Sequence, residues 1–334
     1  MQLILVVLLF ISPIVAAHDL LEEIAEIISN QHIDKPVKQN FSSVIPDAVN
    51  NYLQSIDPYS KYLTAAQYNK DNNYVGIGAK IVAIKQGILI IPFYQGPAFM
   101  AGIKQPMLLL SVNGTSTTAM PISNILNLFT DKVVLETQNL FDEVPHITTV
   151  KRQPYNLPSV QVIENKYIRI NKFVARKTAV ALKKVIHNNS IIDLRETTGG
   201  DLYETLDCLS LFLPAEKLLV KTVDNKGKIR NYYSLPNQHL IKNITLLVGP
   251  RTASSAEIFA KALQYYQHAT LIGQQTYGKC LSQTYIELSD GSALKLSNLK
   301  IFYPDGSFCD GKGLIPDISL DDKEFYKSLD SFPK

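Results

Sequence analysis

Apolar positions along the chain fall into regions of different spacing. From Asp19 to Ile33 they recur at helical intervals, with Leu20, Leu21, Ile24, Ile27 and Ile28 on one side. A second helix is expected over Phe41 to Leu53, broken by the turn residues Asp57-Pro58-Tyr59-Ser60, and a short one over Thr64 to Tyr68. From Tyr74 the runs become strand-like. YVGIGAKIVAIKQGILIIPFYQGPAFMAGI supplies a glycine-flanked turn, two β-rich runs, and a short helix opened by Gly96-Pro97-Ala98 and stopped at Gly102. LLLSVNG follows as a strand turning at Asn113-Gly114, then a helix from Pro121 to Phe129 and strands to Arg152. From Pro154 strands alternate with helices. Lys166–Ile170 reads as a strand, Val174–Ile186 as a helix, and Ile191–Arg195 as a strand delivered into Thr197-Thr198-Gly199-Gly200. A helix through Leu202, Leu206, Leu209 and Phe212 ends at Pro214, and Leu218–Val223, Ile229–Ser234 and Thr245–Val248 read as strands. The tail reads as strands at Ser292–Tyr303 and Gly313–Ile318. This alternation predicts a mixed α/β fold whose core is a layered sheet with crossover helices. The expected segments are a leader (1–17), a helical segment (18–72), a strand-rich unit (73–153) and an α/β core with C-terminal strands (154–334).

Composition narrows the function classes. A chain of 334 residues, 46% hydrophobic and 19% charged, has room for two or three domains with a substantial core. The formal charge is only +3 and the Lys and Arg residues are spread, which argues against nucleic-acid binding. Residues 1–17, MQLILVVLLFISPIVAA, have the apolar run and small terminal pair of a secretory signal cleaved before His18. Left uncleaved, this segment would tether the chain to a membrane, although it is short for a span of roughly 20 residues. The cysteines Cys208, Cys280 and Cys309 are too few for a disulfide scaffold. CxxC and HExxH are absent and the histidines lack ligand spacing, so neither a metal nor a cofactor is expected.

The candidate chemistry gathers in Gly249 to Gln283, GPRTASSAEIFAKALQYYQHATLIGQQTYGKCLSQ. The stretch reads as a helix start, an amphipathic helix, a short buried strand, and a Gly-Lys turn leading into a second strand. Ser254 to Glu257 spell a capping box. Ser254 therefore has two readings: an N-cap that satisfies an orphan amide, or a nucleophile at the positive end of a helix. Under the second, the Ser255 amide is placed to receive an oxyanion. Gly199-Gly200, at another strand end, can then add a donor without side-chain obstruction; under the first, these glycines only make a turn. A serine nucleophile needs a base, and no histidine stands at a convincing strand end. Lys279 is the candidate. A lysine ordinarily stays protonated to about pH 10.4, and burial in an apolar pocket lowers that value enough to yield an accepting amine. Gln283, on the same strand face by the period of two, offers an amide oxygen that orients the amine without adding charge. Taken singly, Lys279 and Gln283 each also fit a solvated surface position.

Jointly, the motifs are similar to those of one family. Val75-Gly76-Ile77-Gly78 looks like the carboxylate-binding loop of a PDZ domain, and GPAFMAGI followed by LLLSVNG resembles the PDZ helix and its NG-turned strand. The chain as a whole resembles the C-terminal processing (tail-specific) peptidases, PDZ-containing serine-lysine proteases of bacteria and plastids. The resemblance runs through DPYSKYLT, VGIG, GPAFMAGI, YIRI, DLRETTGG, LFLPAE, RTASSAEI, YGKCLSQT, LSDGSALKL and GKGLIPDI. It implies an α/β protease core with an inserted PDZ domain. It also implies Ser254 as nucleophile, Lys279 as general base, Gln283 as third member of the triad, and the amides of Gly199 and Ser255 as oxyanion donors. The 25-residue gap from Ser254 to Lys279 agrees with the family spacing. The partner implied is a polypeptide whose C-terminal tail adds to a sheet edge, its carboxylate held by the Val75–Gly78 loop. Cleavage would follow within that polypeptide, at a cleft between PDZ domain and core. With the leader, the resemblance implies export to a bacterial periplasm or beyond. The sequence departs from the family pattern where Thr197-Thr198 replaces Asn-Pro, where Gln105-Pro106-Met107 replaces Pro-Gly-Asp, and where Cys280 replaces Gly. Two unexpected cysteines in the catalytic half of an exported chain prompt the expectation that Cys280 and Cys309 form a disulfide. The alternatives are a PDZ adaptor whose protease core has decayed, and a serine hydrolase of small esters that needs no polypeptide tail.

Overall fold

The computed structural model describes residues 45–69, 75–142, 144–164, 167–236 and 241–329. The leader, the helix expected over Asp19–Ile33 and the start of the one expected at Phe41 lie outside the described residues. The chain divides into two compact units, one taking Met1–Lys70 with Gln283–Asn298, the other Asp71–Ser282 with Leu299–Lys334.

In the first unit, the helix Ile45–Ile56 turns Leu53 inward and gives way to the turn at Asp57. The Asp57 carboxylate closes that turn, its Oδ1 accepting from the amides of Tyr59 at 2.7 Å and Ser60 at 2.8 Å, as Asx turns do. The strand Lys61–Leu63 then pairs antiparallel with Ala293, Leu294 and Lys295. Thr64 and Gln67 form the capping box of the helix Ala65–Tyr68, and the Tyr68 ring lies 6.1 Å from that of Tyr285.

The second unit is built on a sheet in the order Val160–Glu164, Tyr167–Ile170, Ile191–Asp193, Ile244–Val248, Ala269–Gly273, Ile318–Ser319. Its first pair is antiparallel and the rest are parallel. Parallel neighbours need long crossovers, and the helices Thr178–Val185, Leu202–Leu209 and Ser255–Tyr265 lie in them. Ile168, Ile192, Leu246 and Leu271 are register neighbours across the strands and, with Ile170 and Val248, form one fully buried apolar face of the sheet. Ile191–Asp193 and Ile244–Val248 are adjacent and parallel. Their C-terminal ends therefore emerge side by side, where an open α/β sheet forms its ligand crevice.

The same unit holds an antiparallel sheet ordered Ala79–Ile84, Gly87–Pro92, Met107–Val112, Lys132–Gln138, Pro145–Lys151, with a separate apolar core that includes Ile77, Ile90, Leu109, Val133 and Leu135. Ala79–Ile84 stands at one end of that order. A hairpin of Leu218–Asp224 with Ile229–Tyr233 continues onto residues 299–302.

Two expectations are corrected. The helix expected from Val174 begins at Thr178, because Arg176 takes φ +61° and the Val174 amide is spent on the Thr178 hydroxyl at 2.8 Å. The strand expected over Gly313–Ile318 shrinks to Ile318–Ser319. The amides of Lys312 and Gly313 bond back to the Cys309 carbonyl, and that of Leu314 to the Thr276 hydroxyl, which leaves no ladder to extend. The terminal helix Asp322–Leu329 is polar on average but one-sided, and is anchored by buried Phe325, whose ring fills the space over Gly249.

Candidate active site

After Val248 the chain turns sharply into the helix Ser255–Tyr265. Thr252 fixes the turn: its Oγ1 accepts from the Gly249 amide at 3.0 Å and donates to the Leu194 carbonyl at 2.8 Å. Ser254 sits at the tip with φ +58° and ψ −124°. A residue with a side chain holds such a conformation only when its surroundings impose it. The capping-box reading does not anticipate this strain, since an N-cap is ordinarily extended. The box itself closes, with Glu257 Oε2 accepting from the Ser254 amide at 2.8 Å. The Glu257 amide also reaches the Ser254 carbonyl at 2.8 Å, so its pairing does not rest on the hydroxyl alone. Strand, strained serine and helix start together make the geometry of a nucleophile elbow.

The loop leaving Ile191–Asp193 comes up against this elbow. A Cβ on Gly199 would stand 2.9 Å from Ser254 Cβ and 3.0 Å from the Ser255 nitrogen, so only glycine permits the approach. The Ala253 amide donates to the Thr197 carbonyl at 3.1 Å, and Ser255 Oγ to the Gly200 carbonyl at 3.0 Å. Thr197, where the family pattern has another residue, is buried and donates its hydroxyl to the Ile170 carbonyl. Gly199, Ser254 and Ser255, chosen from separate stretches of sequence, are thus brought together.

Lys279 lies between the strands Ala269–Gly273 and Leu281–Glu287 and is half-buried. Its amide donates at 2.9 Å to Glu257 Oε2, the oxygen that also holds the Ser254 amide. Glu257 Oε1 accepts from the Gly278 amide at 2.8 Å and the Thr276 hydroxyl at 2.5 Å. One fully buried carboxylate therefore ties the backbone of the serine to that of the lysine. The other side of the lysine turn is clamped by the Cys280–Cys309 disulfide, with Cα atoms 5.5 Å apart. The Gly311 amide adds a bond to the Gly278 carbonyl at 2.8 Å, and the Cys280 amide one to Asp310 Oδ1 at 3.2 Å. Cys208 stays a buried thiol, pushed up in pKa by its burial.

Gln283 belongs to the first unit. Its Nε2 donates to Ser297 Oγ at 3.1 Å, and Ser297 Oγ in turn donates to Asp57 Oδ1 at 3.1 Å. In the 75–78 loop, Val75 and Gly76 pair with Pro154 and Gln153, while Ile77 is buried in the core of the antiparallel sheet. Gly78 has φ +65°, and a Cβ there would meet Pro97 Cδ at 2.2 Å. The loop opens directly into the end strand Ala79–Ile84.

Sequence reasoning did not assign three groups that brace these loops. Glu257 read only as a cap, because its other partners lie 19 to 22 residues away. Asp193, 1% exposed, accepts from Arg169 at 2.7 Å, Arg195 at 2.9 Å and the Tyr167 hydroxyl at 2.9 Å. Burial works to raise its carboxyl, but the flanking guanidiniums of Arg195 and Arg169 hold it well below the usual carboxylate range. Both carboxylate oxygens of Glu196 accept from one edge of the Arg251 guanidinium, through Nε and Nη2, and its carbonyl oxygen accepts from Lys80 on the strand Ala79–Ile84. Burial lowers the Lys80 ammonium from its ordinary value, against the attraction of Glu196. The available signal was charge at strand ends, in DLRE and GPRT, where buried positions demand partners.

Comparisons with known proteins agree with this architecture. The peptidase family S41 model matches residues 166–320. A probable CtpA-like serine protease of Staphylococcus aureus is 30% identical over 337 residues, covering 94% of this chain and 66% of its own. The chain thus spans somewhat less than two thirds of that relative's length. Its counterpart in Staphylococcus epidermidis is 30% identical over 339 residues, covering 94% of this chain and 68% of its own. Among solved structures, a photosystem II D1 C-terminal processing protease superposes with a TM-score of 0.59 at 20% identity, over 94% of this chain and 98% of that one. A putative S41 protease from Bacteroides fragilis reaches 0.62 at 15% identity, over 92% of each chain. The chain belongs to the C-terminal processing peptidases of peptidase family S41.

Proposed function

We propose that the protein is an exported serine endopeptidase that takes hold of a polypeptide by its C-terminal tail and cuts within it. The observation that carries the reading is the single Glu257 carboxylate shared by the amides of Ser254 and Lys279, with Gly199 pressed against Ser254 and Ser255. In this mechanism Ser254 Oγ attacks the scissile carbonyl and Lys279, as the neutral amine, takes its proton. The amides of Gly199 and Ser255 hold the oxyanion. Lys279 returns the proton to the leaving amine, which leaves Ser254 acylated, and water then releases the second product. Gln283 orients Lys279 without adding charge. Segment 73–153 serves as a PDZ domain, its terminal strand Ala79–Ile84 taking the tail by strand addition and the Val75-Gly76-Ile77-Gly78 loop holding the carboxylate. The Lys80–Glu196–Arg251 cluster supports a link from that strand to both loops of the core. Segment 18–72 is a helical lead-in and 154–334 the protease core. The leader directs the protein to a periplasm or outside the cell.

The test is cleavage of an unstructured polypeptide such as casein by wild type, Ser254→Ala and Lys279→Ala. Loss of turnover in both variants with retained folding is expected. Equal activity in all three sinks the mechanism, and no activity in any favours a non-enzymatic adaptor.

A further inference from the structure

The turn motif Asp57-Pro58-Tyr59-Ser60 has no part in the chemistry described so far, yet it is hydrogen-bonded to Gln283 through one intermediate. Asp57 Oδ1 accepts from the amides of Tyr59 and Ser60, and Oδ2 from Ser60 Oγ at 2.6 Å. Ser60 Oγ accepts in turn from the Ser297 amide at 3.0 Å, which docks the strand Ala293–Phe302 on the turn. Ser297 Oγ donates to Asp57 Oδ1 and receives Gln283 Nε2, both at 3.1 Å. Burial works to raise the Asp57 carboxyl, but the bonds from Ser60, Tyr59 and Ser297 hold it below its ordinary value.

The direction of these bonds is fixed by proton counting. An ionised carboxylate only accepts, and a serine hydroxyl has one proton to give. With that proton committed to Asp57, Ser297 can face Gln283 only as an acceptor. The planar side-chain amide of Gln283 must then turn Nε2 toward Ser297 and Oε1 the other way.

We propose that Asp57 and Ser297 are positioning residues for proteolysis, a relay that sets the Gln283 amide with its oxygen, not its nitrogen, presented as the acceptor for Lys279. This rests on the reading of Gln283 as the group that orients the base. An amide presented the wrong way would offer N–H groups to an amine that must itself be steered by an acceptor, and misplacement of a catalytic group is costly to the rate. The turn motif, more than two hundred residues from the base in sequence, then belongs to the catalytic apparatus as well as to the fold.

The experiment compares steady-state casein cleavage by wild type, Ser254→Ala, Gln283→Ala, Ser297→Val, Ser297→Thr and the Ser297→Val/Gln283→Ala double variant. Val and Thr have nearly the same shape and differ in the hydroxyl, so melting temperatures of the two separate packing from hydrogen bonding. Ser297→Val should lower kcat about tenfold with KM within about twofold, Ser297→Thr should recover most of that loss, and the double variant should be no worse than Gln283→Ala. A kcat for Ser297→Val within about twofold of wild type, an equal loss in Ser297→Thr, or a double variant whose losses multiply each overturns the relay while wild type cuts and Ser254→Ala does not. A wild-type chain indistinguishable from Ser254→Ala instead removes the underlying reading, and the relay with it.

Discussion

Replacing Glu257 by Gln tests the shared carboxylate with the smallest change in shape. Four donors converge on it: the amides of Ser254 and Lys279 on Oε2, and the amide of Gly278 and hydroxyl of Thr276 on Oε1. A glutamine must put an NH2 group where one of those oxygens stood. If it replaces Oε2, the Ser254 and Lys279 amides both face a donor. If it replaces Oε1, the Thr276 hydroxyl can rotate and accept, and the Gly278 amide loses its carboxylate acceptor. The second orientation wins, and it keeps the serine and lysine amides paired. Its cost is the buried Gly278 amide's lost bond to the carboxylate, about 1–3 kcal/mol, plus the lost charge assistance on the two surviving bonds, about 1 kcal/mol each. The expected destabilisation is therefore about 3–5 kcal/mol. Glu257→Ala, which leaves all four donors without the carboxylate, should lie above that range. Urea unfolding with a common slope for the variants measures it, and casein cleavage at a temperature where each is folded gives the catalytic effect. Glu257→Gln should retain measurable turnover and Glu257→Ala should lose it. A Gln variant within about 1 kcal/mol of wild type would refute the shared-carboxylate account.

Other expectations follow from the same structure. The native oxidised protein should release one titratable thiol, Cys208, and only on denaturation; three would exclude the Cys280–Cys309 bond. Replacing both bonded cysteines by Ala should lower stability by about 3–4 kcal/mol in urea unfolding, as loop-closure entropy gives for a separation of 29 residues. Asp193→Asn leaves two buried guanidiniums short of a counter-charge and should cost about 3–5 kcal/mol. Because the folded carboxyl is held below its ordinary value, its contribution is complete above the unfolded pKa of about 3.9 and declines as pH falls toward the folded one. Urea midpoints should thus show a constant gap between wild type and Asp193→Asn from about pH 8 to about pH 5, narrowing only below about pH 4; a gap that closes near neutrality would contradict the depressed carboxyl.

What was legible in the sequence is what local chemistry writes down. Gly199 and Gly200 at a strand end, the capping box at Ser254 and the Asn113-Gly114 turn each follow from short-range demands, and their elements formed close to where the pattern put them. Leu314, Ile315 and Ile318 gave Gly313–Ile318 a strand-like look that failed because the amides there had been claimed by Cys309 and Thr276, partners no window around them contains. The same holds for the site. Lys279 and Gln283 were candidates by the lack of a placed histidine and by strand period, but each also fitted a surface position until the family pattern joined them, whereas Glu257 was in plain view and undervalued. Its reach to Thr276, Gly278 and Lys279 exists only once the sheet has set the helix Ser255–Tyr265 beside the following turn. Asp57 was read as a turn former, and so it is; its bond to Ser297 spans 240 positions and could not be inferred from either neighbourhood.

The backbone at Ser254 has φ +58° and ψ −124°, a combination that glycine tolerates far better than serine. The residue best suited to the backbone at this position is therefore one with no hydroxyl at all. Relieving such a torsion is worth on the order of 1 kcal/mol or more, so the Ser254→Gly variant, which the proposed mechanism makes inert, should be as robust as the native chain or more so, up to the packing lost with the side chain. Drift toward greater robustness at this position would run toward inactivity. On the proposed mechanism only selection for the reaction itself keeps a serine there, and screens of this protein for thermal tolerance alone would be expected to collect variants that no longer cut.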